Sequence, residues 1–475
     1  MNIERAAKIG LLLIGSPRFK TLGEGTENGT YGERKQIEVD AIVKNLSVAG
    51  EIVFPGIVYE RDDVKKAIET FFSEKVDCVV AAYLSWSEDF AWIRFLRDMP
   101  PVPILFASFI RESVDITDTN DEDQFVDFLS AGSLVGVQEG SGDFKRFDRP
   151  MRETFIGDMN QVVDKVKKFS SAARVRSMLR SSTMALLSSY NEVMWSTYVD
   201  PYNIFYKIGP EIRFLSVAQL VDEIDAVSNE DLKVTAGKIK EQFKFYKDVD
   251  MIKFEASVRA SMALENLSAK YDVDLTVLND IDPVLFQKVG LRPGFLPTNK
   301  QSKLTVVPEG DIGAGLAVYI LTLLSGKRAN FIEPFYIIKQ RNTFAAGHAG
   351  PNDYTGCPEN TIIARDTRFA KTNYKYAGAP FAWYVFPAGE KTMVHMSENN
   401  GRMKLVCTLV EALPTDHYLA SYSHAEFRHK TLEPQELFDR LINIGVTQHY
   451  GIVDGNYMEE LKAFAELMDF DFYQI

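Results

Sequence analysis

The first 110 residues alternate between short apolar runs and longer segments with apolar residues at helical spacing. The runs KIGLLLIG, EIVFPGIVY, VDCVVAAYL and VPILFASFI predict strands. The segments between them predict amphipathic helices, and Ser87 is the predicted N-cap of the third, SEDFAWIRFLRDM. Such alternation indicates a doubly wound parallel sheet, which we assign to a first α/β domain of residues 1–172.

Two further patterns follow along the chain. Residues 173–327 contain a long helical pattern, SVAQLVDEIDAVSNEDLKVTAGKIKEQFKFYK, then the strand-like SKLTVVPEGD and the helix IGAGLAVYILTLLSG, and they predict a second α/β domain. Residues 328–475 are short strand-like pieces divided by Gly, Pro and Asn, which favour an antiparallel sheet or barrel followed by a terminal helix. The predicted fold class is α/β, with two Rossmann-like domains before a β-barrel-like domain.

Composition narrows the class of function. The net charge of −13 argues against a nucleic-acid surface, which needs clustered Lys and Arg. We expect no membrane span, because no run of about 18 apolar residues occurs, and the absence of a recognisable signal segment leads us to expect a cytoplasmic protein. The odd and scattered cysteines, Cys78, Cys357 and Cys407, form no CxxC pair, so neither a disulfide framework nor a thiolate metal site is expected.

Four ionisable residues stand in unusual settings. Glu309 ends the apolar run LTVVPEGD, Glu333 interrupts ANFIEPFYII, His348 lies in AAGHAG, and His449 lies in TQHYG. A carboxylate in an apolar run is costly to bury unless it is paired or bound to a metal. Two carboxylates with two imidazoles suit Mn²⁺ or another octahedral divalent ion. For each residue the alternative is a surface-facing strand residue or a hydrogen-bonded core histidine.

The remaining histidines and tryptophans are given structural interpretations. His417, His424 and His429 have spacings that match neither one helix face nor a zinc signature, so we predict a polar loop near the pocket. We expect the four tryptophans to be packing residues, namely Trp86, Trp92, Trp195 and Trp383.

The segments PEGDIGAGL, FIEPF, AGHAG and TQHYG resemble, in order and rough spacing, the metal-site segments of the L-arabinose isomerase and L-fucose isomerase superfamily, and the arabinose isomerase side most closely. The resemblance implies an intramolecular oxidoreductase that interconverts aldoses and ketoses through an enediol. It places the metal ligands on Glu309, Glu333, His348 and His449, and the acid/base pair on Glu309 and Glu333. The implied cofactor is Mn²⁺, or another divalent cation such as Co²⁺ or Mg²⁺.

The chain departs from this family in its sugar-binding segments. It reads Gly15-Ser16-Pro17-Arg18 where the family continues with Gly-Ser-Gln, and it has no counterpart of a family His-Gly-Gly-Arg segment. The loop after the first strand has no phosphate-binding glycine motif. The resemblance implies sugar contacts at Ser16 and Arg18, for which the alternative is a plain exposed loop, and at Met184 in RSSTMALLS, for which the alternative is a core methionine. A guanidinium at Arg18 would also favour an anionic sugar derivative, because arginine pairs well with anions.

The resemblance also implies a homotrimer or homohexamer with sites between subunits. Two other functions stay open at this point. One is a sugar-binding protein without catalysis, and the other is a metal-dependent epimerase or hydrolase that uses the same ligands.

Overall fold

The computed structural model describes residues 4–118, 120–299, 302–350, 352–355, 361–416 and 421–475. The described chain forms two compact units. The first comprises Arg5–Ser177 and Glu466–Asp469, and the second comprises mainly Met178–Ala465 and Phe470–Ile475. Each unit contains its own cluster of buried apolar side chains.

The first unit contains a five-stranded parallel sheet, as predicted. Its strands lie in the order β2-β1-β3-β4-β5. The three central strands are almost completely buried, which explains why they appear in the sequence as continuous apolar runs. The elements are β1 Lys8–Ile14, α1 Tyr31–Leu46, β2 Glu51–Val53, α2 Arg61–Glu74, β3 Cys78–Tyr83, α3 Phe90–Asp98, β4 Ile104–Phe109, α4 Glu122–Ser130, α5 Ser133–Phe147, β5 Arg152–Gly157 and α6 Met159–Leu179.

Two local expectations in this unit are resolved by the structure. The N-cap of α3 is Asp89 rather than Ser87, whose hydroxyl instead donates to the carbonyl oxygen of Gly15 at 3.1 Å. Trp92 is a packing residue, as predicted, because its ring is fully buried and stacks on Phe106 with centroids 4.6 Å apart.

The second unit begins with a four-stranded parallel sheet of order β10-β9-β6-β7. The single long helical pattern predicted here is two helices, because the Ser228 side chain caps the second of them by accepting from the Asp231 amide. The elements are β6 Thr183–Leu187, α7 Pro201–Asn203, β7 Glu211–Leu215, α8 Val217–Ala226, α9 Asn229–Gln242, β8 Lys244–Phe245, α10 Met251–Lys270, β9 Leu275–Leu278, α11 Pro283–Lys288, β10 Thr305–Val307 and α12 Ile312–Ser325.

The same unit continues into a closed six-stranded antiparallel barrel, which confirms the β-barrel prediction. Around the barrel the order is β15-β18-β11-β12-β17-β16, and β16 pairs with β15 to close it. β19 adds to β16 in parallel, and β14, β13 and β8 form a small separate sheet. The elements are β11 Asn330–Ile338, β12 Thr343–Ala349, β13 Ile362–Arg365, β14 Pro380–Trp383, β15 Gly389–Asn399, β16 Arg402–Leu413, β17 Tyr422–His429, α13 Pro434–Ile444, β18 Tyr450–Asp454, α14 Met458–Met468 and β19 Asp471–Gln474.

The helix α12 joins the parallel sheet to the barrel and is buried on every side. It packs against β15 and β18. Two glycines allow this approach: a Cβ on Gly313 would lie 2.3 Å from the Met396 carbonyl oxygen, and one on Gly451 would lie 3.0 Å from the Val318 amide nitrogen. The close contact brings the turn before α12 next to the start of β18, where two of the predicted site residues lie.

Among the described residues, no helix combines the length and the apolar character needed to cross a bilayer. The two described cysteines, Cys78 and Cys407, are buried free thiols, and Cys357 lies outside the described residues.

Candidate metal centre

Glu309 lies in the turn between β10 and α12. Its backbone is left-handed, with φ of 61°, and Gly310 follows with φ of 67°. For a residue with a side chain this conformation is unfavourable unless its surroundings enforce it. Two polar side chains do so: the Glu309 amide donates to Asp280 Oδ1 at 2.8 Å, and the Glu309 carbonyl accepts from Asn191 Nδ2 at 2.6 Å. The turn thereby fixes the direction of the buried carboxylate.

His348 lies in β12, where it pairs with Ser423 of β17. Its Nε2 is 3.5 Å from Glu309 Oε1, and its ring packs edge-on against Phe331 with centroids 4.7 Å apart. Both ring nitrogens are buried and have no hydrogen-bond partner among the described residues. An imidazole with no partner at either nitrogen is costly to bury, so this side chain has unused capacity to bind a ligand.

His449 immediately precedes β18 and is fully buried. Its Nδ1 donates to Asp311 Oδ2 at 2.8 Å, which leaves Nε2 directed at the glutamates, 3.4 Å from Glu309 Oε2 and 3.8 Å from Glu333 Oε2. A carboxylate on the far nitrogen is the usual way in which proteins orient a metal-binding histidine. Its backbone carbonyl accepts from His395 Nδ1 at 2.9 Å.

The electrostatics of the cluster follow from this crowding of charge. Burial by itself would lower the pKa of His449, but Asp311 and Glu309 together raise that pKa to about 9. Burial likewise opposes ionisation of Glu309, yet the two imidazoles hold the pKa of this carboxyl well below its usual range. Glu309 is therefore an anion at neutral pH, ready to face a positive partner.

The ligand atoms of Glu309, His348 and His449 all lie within 4.8 Å of one another, and all three residues are buried. One carboxylate oxygen and two imidazole nitrogens could hold a divalent metal ion, and neither Nε2 has a hydrogen-bond partner among the described residues. Because the pKa of His449 is raised to about 9, metal binding would displace a proton from this imidazole. Glu333 lies at the edge of this group with its side chain 30% exposed. The fourth predicted ligand is thus adjacent to the cluster but outside the compact set of three.

A buried ion network supports the turn that carries Glu309. Arg292 Nη1 donates to Asp280 Oδ2 at 2.9 Å, and its Nη2 donates to Asp366 Oδ2 at 3.0 Å. All three side chains are buried away from water, so each charge is stabilised mainly by the opposite charges next to it. From the next turn, Arg368 Nη1 reaches Glu309 Oε1 at 3.1 Å.

A cleft of about 620 Å³ opens at the carboxyl ends of β6, β7 and β9. Asn191 and Asn279 line it, and both approach the position that a Cβ on Gly310 would occupy to 3.3 Å. The buried Asn279 Oδ1 has no hydrogen-bond partner among the described residues. Carboxyl ends of parallel strands are where α/β sheets bind ligands, and this cleft borders the Glu309 turn.

The other predicted site residues lie elsewhere. Met184 lies inside β6, buried between Leu275 and Ile212 of the neighbouring strands, and its contact with a sugar stays a prediction. Ser16 and Arg18 belong to the first unit. Ser16 is buried, with no hydrogen-bond partner for its hydroxyl among the described residues, and Arg18 pairs with Glu88 at 2.7 Å.

Two expectations about other side chains are wrong. The sequence predicts a polar loop for His424 and His429, but both belong to the barrel strand β17, and His417 lies outside the described residues. The sequence predicts packing for Trp195, but its side chain is 74% exposed on a short helical turn after β6.

Several residues of the site were missed by sequence reasoning. Asp311 had a visible signal, since it follows Glu309-Gly310 and precedes a helical pattern, as an N-cap does. The ion network had none: Arg292 and Asp366 are 74 residues apart and meet only through tertiary folding. Arg368 likewise lies in a polar segment, TRFAKTNY, with no pattern that marks it.

Comparisons with known proteins add little to this geometry. No protein-family model and no curated protein matches the chain. Among the solved structures that match the chain is an ABC transporter periplasmic solute-binding protein from Actinobacillus succinogenes 130z with bound D-allose. It is 14% identical, with 68% of this chain and 92% of that chain covered, and the TM-score is 0.15. A likeness this low carries no argument about fold or function.

Proposed function

We propose that this chain is a metal-dependent ketol isomerase that interconverts an open-chain aldose and its ketose, with Mn²⁺, or Co²⁺ or Mg²⁺, at Glu309, His348 and His449. The observation that carries the proposal is the buried three-residue cluster with its unpartnered imidazole nitrogens. Glu333 beside it offers the second carboxylate that proton transfer between neighbouring carbons requires.

The roles of the two glutamates follow from their surroundings. A divalent cation bound in the cluster would supply Lewis-acid polarisation of the carbonyl and stabilise the charge of an enediolate. Glu309 has both oxygens engaged, one near His348 and Arg368 and the other near His449. Glu333 is partly exposed, so we assign it the removal of the proton from the carbon next to the carbonyl. Glu309 is assigned the transfer of the hydroxyl proton.

Binding of the rest of the sugar is assigned to the cleft beside the Glu309 turn. Asn191 and Asn279 line it, and its volume of about 620 Å³ lies in the range of small-molecule pockets. Ser16, Arg18 and Met184 stay proposed sugar contacts, as does the preference of Arg18 for an anionic derivative.

We further propose a homotrimer or homohexamer in the cytoplasm. Exposed apolar side chains on α4 and α5 support association, since lone chains rarely leave such groups bare. They are Phe125, Phe128, Leu134 and Val135. The buried thiols of Cys78 and Cys407 suit a reducing compartment.

The test is an assay of ketose formation over neutral and acidic pentoses and hexoses, with and without added Mn²⁺, on the native chain and on Glu333→Gln. We expect metal-dependent turnover that this substitution lowers by about 10²–10⁴-fold, the usual contribution of a positioned acid or base, while Mn²⁺ affinity is largely kept. Sugar binding that is indifferent to chelation would contradict the proposal and indicate a receptor. Turnover without isomerisation would indicate an epimerase or hydrolase.

A further inference from the structure

Arg368 is held in place by the backbone around it. It follows β13, and its amide donates to Asp366 Oδ1 at 3.1 Å. Asp366 is itself fixed by the buried Arg292, and the hydroxyls of Thr367 and Ser421 are 3.1 Å apart. The turn that presents the Arg368 side chain is therefore anchored at three consecutive residues.

The guanidinium of Arg368 contacts the metal cluster and still has hydrogen-bond donors available. Its Nη1 lies 3.1 Å from Glu309 Oε1, and the side chain is 39% exposed. Of its five N–H donors, only those on Nη1 have a hydrogen-bond acceptor among the described residues. Burial raises the pKa of the Tyr422 phenol, while the charge of Arg368 lowers that pKa and the charge of Glu333 raises it, so this phenol lies within electrostatic reach of both side chains.

A fixed positive charge beside a cation site is unfavourable for the cation by itself. Like charges a few ångströms apart repel, and here the arginine and the proposed metal share the same carboxylate. An anionic ligand that contacts both the arginine and the metal ion would offset this repulsion with two attractions. The planar fork of arginine suits such a ligand, because it can donate two parallel hydrogen bonds to a carboxylate or phosphate.

We infer that Arg368 is a specificity-determining residue that binds a carboxylate or phosphate group of the substrate, so that the site selects acidic sugar derivatives over neutral sugars. The inference rests on the proposed function, since it concerns the substrate of that site. The competing explanation is that Arg368 only neutralises Glu309, in which case its loss would affect acidic and neutral sugars alike.

The experiment measures binding by calorimetry on the full-length, Mn²⁺-loaded protein, with turnover recorded in parallel. The ligands are a hexuronate, a hexose 6-phosphate and the corresponding neutral hexose, so the two anionic groups are distinguished. The variants are Arg368→Gln, which removes the charge, and Arg368→Lys, which keeps the charge without the fork. The matched control is Arg365→Gln, at the end of β13, where Arg365 pairs with Asp248.

We expect Arg368→Gln to weaken binding of at least one acidic sugar by about 10- to 100-fold, the usual loss of a charge-assisted hydrogen bond, and the neutral hexose by less than about threefold. Arg368→Lys should fall between, and Arg365→Gln should match the native chain. Equal weakening of acidic and neutral sugars, or no binding of either acidic sugar, would overturn the inference.

The two proposals fail in different ways. If no sugar is isomerised but an acidic sugar binds in an Arg368-dependent manner, the isomerase proposal fails and the anion site stands. If neutral sugars are isomerised and Arg368→Gln does not discriminate, the isomerase proposal stands and the anion site is refuted. Unchanged thermal unfolding of each variant controls for folding.

Discussion

Asp311 makes two contacts that a single substitution can separate, so it tests how the metal site is organised. Its Oδ1 caps α12 by accepting from the Ala314 amide at 2.8 Å, and its Oδ2 accepts from His449 Nδ1 at 2.8 Å. Asparagine caps a helix about as well as aspartate. In Asp311→Asn the cap oxygen can stay in place, but an amide NH₂ then faces His449. The imidazole loses its acceptor or moves its proton to Nε2, and in both cases Nε2 is a poorer ligand.

The expected magnitude follows from burial and charge. Asp311 and His449 are both almost fully buried, so their hydrogen bond is charge-assisted and unscreened, worth about 1.5–3 kcal/mol. Loss of such a partner of a metal-binding histidine usually lowers metal affinity by about 10- to 100-fold, or about 1.4–2.7 kcal/mol. We expect a weakening of Mn²⁺ binding in this range, and we expect the metal-free protein to lose about as much stability as this hydrogen bond is worth.

The assay is calorimetric titration of Mn²⁺ into chelator-stripped protein. Asp250→Asn is the matched control, because Asp250 caps α10 through the amides of Ile252 and Lys253 and does not contact a histidine. That variant should bind Mn²⁺ like the native chain. Affinity of Asp311→Asn within twofold of native, or equal losses in both variants, would refute the assignment of Asp311 to His449.

Three further predictions concern stability. Burial raises the pKa of Glu265 from 4.5 to about 7, so the folded state keeps this proton to a higher pH than the unfolded chain does. As the pH rises from 4.5 to 7, the native protein should therefore lose about 3 kcal/mol of stability relative to Glu265→Gln. The difference in unfolding temperature between the two proteins should widen over this range, and a constant difference would contradict this. Arg292→Met leaves two buried carboxylates unpaired and should destabilise by about 3–5 kcal/mol in denaturant unfolding, whereas a cost below about 1 kcal/mol would show that the network is dispensable. Gly347→Ala places a Cβ 2.1 Å from the Ser423 carbonyl oxygen and should lower the stability of the protein by at least about 1–3 kcal/mol. Gly237→Ala, in open space on α9, should instead raise the stability by about 0.5–1 kcal/mol. Similar effects of the two substitutions would contradict the close packing beside His348.

The sequence was most informative where burial is two-sided. Central strands such as β1 and β3 are covered on both faces, so their apolar runs stand out without any three-dimensional knowledge. The metal-site residues stood out for the converse reason: Glu309 and His348 are polar residues in segments that are otherwise built to be buried. A costly residue in an apolar setting is a signal of chemistry.

The missed features depend on contacts that the local sequence does not encode. The helix break at Ser228 was hidden because apolar spacing continues across it, and only the capping contact to Asp231 ends one helix and begins the next. The sequence predicts that Trp195 is a packing residue, but it lies on an exposed turn. Arg292 gives no local signal because its partners come from two distant turns.

The central claim is that Glu309, His348 and His449 bind one divalent cation, and a crystal structure of the Mn²⁺-loaded protein with anomalous data at the manganese edge tests it most directly. We predict a single strong peak at bonding distance from a Glu309 oxygen and from Nε2 of both histidines, with Glu333 beside it. A peak bound to other residues, or none at saturating Mn²⁺, would contradict the account.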